Sequence, residues 1–172
     1  MEPAPDKPDL ADTSVWARSR KPELEWFAAA LEDGRIAVCD QVVMELLWSA
    51  RDLADFRATE AALLACPWFP VEPADWDEAR RVFRELAARG PLHHRQVKIP
   101  DLLIAAAAAR NGLTVVHYDS DYEVIASVTG QATRWAAPRG TILGSRSQAG
   151  CRGFESRLPL QPPFRAQRDS AK

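Results

Sequence analysis

Apolar and polar positions alternate along this chain at two periods. Helical spacing runs through "PELEWFAAALEDG", where Pro22 suits a first turn and Gly34 a C-terminal stop. "RIAVCD" is a short strand pattern, and Asp40 is placed to cap the helix "QVVMELLWSA". Asp52 to Ala65 predicts another helix, "WFPV" a short strand, and Asp75 to Arg89 a charged amphipathic helix ending at Gly90. "PLHHRQVK" is a polar loop, followed by the helix "IPDLLIAAAAARNG" with Asn111-Gly112 as its stop. "LTVVHYD" is a strand, "DYEVIASVTG" a short helix and "TRWAA" a last edge strand. The first strand is only a step, Leu10-Ala11, running into "DTSVW". Strands and helices alternate, which predicts an α/β domain around a mostly parallel sheet. Such sheets bind ligands outside the carboxyl ends of their strands.

The pattern stops near Pro138. Residues 138–172 are rich in Gly, Pro, Ser, Gln and Arg without periodicity, so a domain over 9–137 and a low-order tail are expected. Within that tail, "RGFESR" is what a bacterial tRNA T-arm gives when translated in one frame. The expectation is a reading frame that runs into a neighbouring tRNA gene.

Composition narrows the function. The 172 residues carry a net charge of -2, so the chain as a whole is no basic nucleic-acid binder. Contact with RNA or DNA has to be local or mediated by a cation. Three cysteines, widely spaced, form neither a disulfide framework nor a zinc site. The proline-rich N-terminus is no signal peptide and no apolar run is long enough to span a bilayer, so a cytoplasmic location is expected.

Carboxylates stand at the ends of elements. Asp12 follows the first strand, Asp101 opens a helix, and Asp119 and Asp121 follow "LTVVH". Glu45 lies inside a helix, on the edge of the apolar stripe made by Val42, Val43, Leu46, Leu47 and Ala50. Each has an ordinary structural reading: Asp101 favours a helix N-terminus, Asp12, Asp119 and Asp121 are caps and turn residues, and Glu45 lies on the solvent flank of its helix. Taken together they meet at one sheet edge. Several carboxylates in one pocket raise one another's pKa, and a divalent cation relieves the repulsion. An all-oxygen site suits Mg²⁺ or Mn²⁺ rather than zinc.

These residues resemble a family. "DTSVW", the mid-helix Glu of "VVMELLWSAR", "IPDLLIAAAAARNGLTVVHYDSDYEVIA" and a closing "TG…W" are similar to a PIN domain, in particular to the VapC ribonuclease toxins of bacterial toxin–antitoxin modules. The resemblance covers residues 9–137. It implies an α/β/α sandwich and Mg²⁺-dependent endoribonuclease activity. By position, Asp12, Glu45, Asp101 and Asp119 match the family's acidic quartet and Asp121 an additional acid. Ser14 matches a small polar residue that supports the first Asp or substrate. A VapB-like antitoxin that covers the cleft is implied too, and surplus apolar residues at 26–31 and 42–63 predict a homodimer while fitting a fuller core equally well. This sequence departs from the family at His117, where a hydroxyl residue often stands, and at Tyr122, where Phe is usual.

Other residues have competing readings. His93, His94, Arg95 and Lys98 are either a solvated loop or a basic rim that meets RNA phosphates. Trp26, Trp48 and Trp76 fit core or interface, while Trp16, nearest the acids, is expected to contact substrate. One alternative function is a non-catalytic PIN-like module whose acidic cleft docks a basic peptide. Another is a phosphorylated receiver domain, which wants a lysine at the end of a late strand; no Lys occurs between Lys98 and Lys172.

Overall fold

A computed structural model describes residues 7–142; the "RGFESR" expectation lies outside them. Four short strands form one parallel sheet in the order β2-β1-β3-β4. They are β1 (Asp9–Ala11), β2 (Ile36–Ala37), β3 (Val115–His117) and β4 (Thr133–Trp135). β1 is short but central: Leu10 and Ala11 are fully buried, and Leu10 pairs with Ala37 of β2 and Val115 of β3. "TRWAA" does form an edge strand.

Helices α1 (Thr13–Trp16), α2 (Glu25–Glu32), α3 (Asp40–Trp48), α4 (Leu53–Leu64), α5 (Pro73–Arg89), α6 (Ile99–Asn111) and α7 (Asp121–Thr129) flank the sheet. α6 is buried without interruption from Asp101 to Ala108. It packs on β3 and is enclosed by α3, α5 and α7, and its run of alanines permits that close approach on every side. Pro100 lies in its first turn, where the missing N–H costs nothing. Gly112 ends it in the left-handed region at φ 64°, ψ 38°.

Two expected elements differ. "WFPV" makes only one bridge, Val38 to Trp68, because Pro67 precedes it and Pro70 lies within it, and proline cannot donate to a ladder. Asp40 does not cap α3; Cys39 holds that position. The Asp40 carboxylate instead accepts from Trp68 Nε1 at 3.1 Å and from the Val71 amide at 2.6 Å, tying this loop to the helix. The packed chain also continues past 137. The Ile142 amide donates to Tyr118 Oη at 3.0 Å, and its side chain is buried.

Candidate metal centre

All four strands point the same way, so the residues that follow β1 and β3 emerge on one edge. Asp12 leaves β1 and caps α1, its Oδ2 accepting the Ser14 amide at 2.9 Å. Its Oδ1 accepts the Tyr122 hydroxyl at 2.7 Å. Both oxygens are therefore oriented, and the residue is only 3% exposed. Asp119 and Asp121 follow β3, and the Asp121 amide donates to Asp119 Oδ1 at 3.1 Å. Asp101 enters from the first turn of α6. One carboxylate oxygen from each of Asp101, Asp119 and Asp121 lies within 4.8 Å of the others. Lys98 Nζ sits among them, 2.7 Å from Asp119, 3.2 Å from Asp121 and 3.4 Å from Asp101.

The acids divide by depth. Burial first, and then the charge of Asp12, push the Asp101 carboxyl up to about 8; Lys98 opposes this only in part. Asp119 is also penalised by burial, but the Lys98 hydrogen bond, the Asp121 amide and the ammonium charge outweigh it and hold it below the ordinary carboxylate range. Without a bound cation, the Lys98 ammonium and the raised affinity of Asp101 for a proton thus offset part of the cluster's negative charge. Burial raises Tyr122, with Asp12 adding to it, so Tyr122 stays a neutral donor.

Glu45 does not join the trio. Thr13 Oγ1 donates to its Oε2 at 2.8 Å and Gln41 Nε2 to its Oε1 at 2.9 Å. Thr13 follows Asp12 directly, so Glu45 belongs to the same edge but is held by neutral donors. Ser14 supports the site from two sides, capped by Asp12 and accepting the Tyr118 amide on its Oγ at 2.9 Å. Trp16 is corrected. It is 2% exposed, its Nε1 donates to the Ala11 carbonyl at 3.2 Å, and it meets Phe27 edge-on. A ring spent on the core has no face left for a base. Trp48, by contrast, is 73% exposed and no part of the core.

His117 is fully buried, and its Nδ1 accepts the Asp119 amide at 3.3 Å. The proton therefore sits on Nε2, which has no hydrogen-bond partner among the described residues. Burial depresses its pKa against the pull of Asp12 and Asp119, so it positions Asp119 as a neutral ring. In the sequence Lys98 belongs only to a polar loop or rim. Its i,i+3 spacing to Asp101 was the available signal; its reach to Asp119, 21 residues on, was not readable.

The donor set fits a hard cation. It is all carboxylate oxygen, with no cysteine in it, and an ammonium already stands where such a cation would relieve the repulsion.

Fold and site together define an α/β domain with an acidic cleft at the carboxyl edge of a parallel sheet. Residues 10–128 match the model of the PIN domain, and the chain belongs to the PIN-domain family. Its relatives include ribonuclease VapC18 of Mycobacterium tuberculosis, 44% identical over 133 residues, which span 76% of this chain and 96% of that protein. Ribonuclease VapC51 of the same organism is 40% identical, over 77% and 96%. A DNA-bound VapBC structure from Salmonella typhimurium shares the fold with TM-score 0.59 at 23% identity, covering 76% of this chain and 99% of that one. PIN-domain ribonucleases are metal-dependent, in keeping with the acidic cluster. No helix among the described residues is long and apolar enough to cross a membrane.

Proposed function

We propose that this chain is a VapC-type toxin, an endoribonuclease that uses Mg²⁺, with Mn²⁺ as a substitute, to hydrolyse RNA phosphodiester bonds. The observation that carries this reading is the convergence of Asp101, Asp119 and Asp121 around one ammonium, with Asp12 beside them. The names of the relatives support the same activity. Asp12, Asp101, Asp119 and Asp121 would hold the cation, and Glu45 is placed to orient water or a second ion. A bound divalent cation lowers the pKa of water and neutralises charge at the phosphate.

The protein's own part is preorganisation. Tyr122 and the Ser14 amide fix both oxygens of Asp12. His117 and the Asp121 amide fix Asp119. Thr13 and Gln41 fix Glu45. Lys98 keeps the acids together and is placed to turn to a phosphate once displaced from them.

Partners follow from the surface. Met44 and Trp48 on α3, with Leu53 and Leu64 on α4, are each more than 60% exposed. Such apolar exposure supports a homodimer and a VapB-like antitoxin as the partners that cover it.

Inducible expression in bacteria tests the reading. The wild-type chain is expected to arrest growth and generate new RNA ends, and Asp12→Ala to do neither. Arrest by both variants, or by neither, contradicts a nuclease toxin.

A further inference from the structure

A chain of net charge -2 needs local cations to hold RNA. The carboxyl edge of the sheet carries two that are stacked on aromatic rings. Arg18 follows α1. Its guanidinium lies 5.2 Å over the Tyr118 ring, and its Nη1 donates to the Ser14 carbonyl at 2.8 Å. Arg139 follows β4, with its guanidinium 5.6 Å over the Trp135 ring. Tyr118 and Trp135 meet edge-on, with centroids 5.4 Å apart and planes at 86°. The four side chains form one row, Arg-Tyr-Trp-Arg.

The row is held in place. The Tyr118 hydroxyl accepts the Gly140 and Ile142 amides at 3.1 and 3.0 Å, so the turn that carries Arg139 is wrapped on it. Trp135 ends β4 opposite His117 of β3, and its Nε1 donates to Glu123 Oε1 at 3.1 Å. Glu123 also pairs with Arg139 at 3.4 Å, both side chains being exposed. Exposed pairs of this kind contribute little, so a phosphate can take the carboxylate's place. Direct contacts tie the row to the acidic centre. The Ser14 amide binds Asp12 Oδ2 at 2.9 Å, its Oγ accepts the Tyr118 amide at 2.9 Å, and its carbonyl holds Arg18. The His117 ring stands 5.0 Å from Trp135 and 4.9 Å from Tyr122, whose hydroxyl binds Asp12 Oδ1.

We infer that Arg18 and Arg139 bind backbone phosphates of the RNA strand that enters the acidic cleft. A guanidinium presents a planar fork of donors that matches a phosphate, and one already stacked on a ring has less freedom to lose on binding. Tyr118 and Trp135 are positioning residues, because they act through the arginines. Such contacts fix where the strand lies and carry no sequence information. The inference rests on the ribonuclease reading, to which it adds the surface that seats the substrate.

Arg18→Gln and Arg139→Gln test it in the cleavage-deficient Asp101→Asn background, with a short labelled single-stranded RNA in EDTA over a KCl series. Each should weaken binding about tenfold, the scale of one hydrogen bond to a charged group. Each should also reduce the slope of log K against log salt by about 0.7, the value for one phosphate contact on a single strand. Arg35→Gln is the control for net charge. Arg35 precedes β2 at the opposite, amino edge of the sheet, and its loss should move neither readout. Arg139 is exposed, so its variant carries the test even where Arg18→Gln lowers Tm. A fall in both readouts with Arg35→Gln unmoved supports the inference. No RNA binding by the parent, no change in Arg139→Gln, or an equal fall in Arg35→Gln overturns it, and an acidic protein segment then has the better claim to the row. If the wild-type chain does not cut RNA with Mg²⁺ while the arginine variants still weaken binding, the nuclease reading falls and the phosphate-binding row stands.

Discussion

Asp101→Asn is expected to cost RNA cleavage about a hundredfold or more, the scale of removing one strong electrostatic contact to a developing charge, while leaving the fold intact. The two halves of that expectation have one cause. Asp101 is 7% exposed and faces Asp12, Asp119 and Asp121, so its charge is a burden to the cation-free protein. Its folded pKa is raised to about 8, so the folded state keeps a proton that the unfolded chain has given up. Unfolding then releases a proton between the ordinary carboxylate range and about pH 8, and stability falls as pH rises through that window. The slope is at most about 1.4 kcal/mol per pH unit. In cation-free buffer the wild-type Tm should therefore decline from pH 5 to 8, and Asp101→Asn should flatten the decline. A variant that loses Tm together with activity would instead mark Asp101 as a structural residue.

Arg110→Met carries the largest expected loss of stability. Arg110 holds the Asp75 carboxylate through Nε and Nη2, both at 3.0 Å, and also reaches Glu72 at 3.0 Å and the Pro70 carbonyl at 2.7 Å. Asp75 is 1% exposed. Removing its guanidinium leaves a buried carboxylate without its counter-charge, which costs about 3–5 kcal/mol. Urea unfolding measures this directly. The double variant Arg110→Met, Asp75→Leu should recover much of the loss, because the stranded charge is gone too. The pair joins the start of α5 to the end of α6, the helix whose first turn carries Asp101. Cleavage should accordingly weaken in Arg110→Met only where the protein unfolds. Equal stability of the single variant and the wild type would remove the clamp from the account.

Those two residues also show what the sequence could and could not tell. Asp101 was legible because its place at a helix start is a local property, and so was its company, since Asp12 and Asp119 end strands of one parallel sheet. Arg110 was not, because its partner lies 35 residues earlier and nothing local marks the pairing. Lys98 was half legible: its three-residue spacing to Asp101 is a local signal, but its bridge to Asp119 depends on how α6 docks beside β3. Trp16 was misread because proximity along the chain to Asp12 is not proximity to the cleft; its helix turns the ring into the core. Asp40 was misread as a cap because its true partners, Trp68 and Val71, come from a loop. There, prolines cut the expected strand to one bridge.

The central claim is that this carboxylate cluster holds the divalent cation on which RNA cleavage depends. Its most direct test is a cleavage time course on a labelled RNA with EDTA-treated protein, before and after Mg²⁺ is restored. No cleavage is expected beforehand, cleavage once Mg²⁺ is added, and none from Asp101→Asn under either condition. Cleavage that ignores EDTA, or that Asp101→Asn carries out at the wild-type rate, would contradict it.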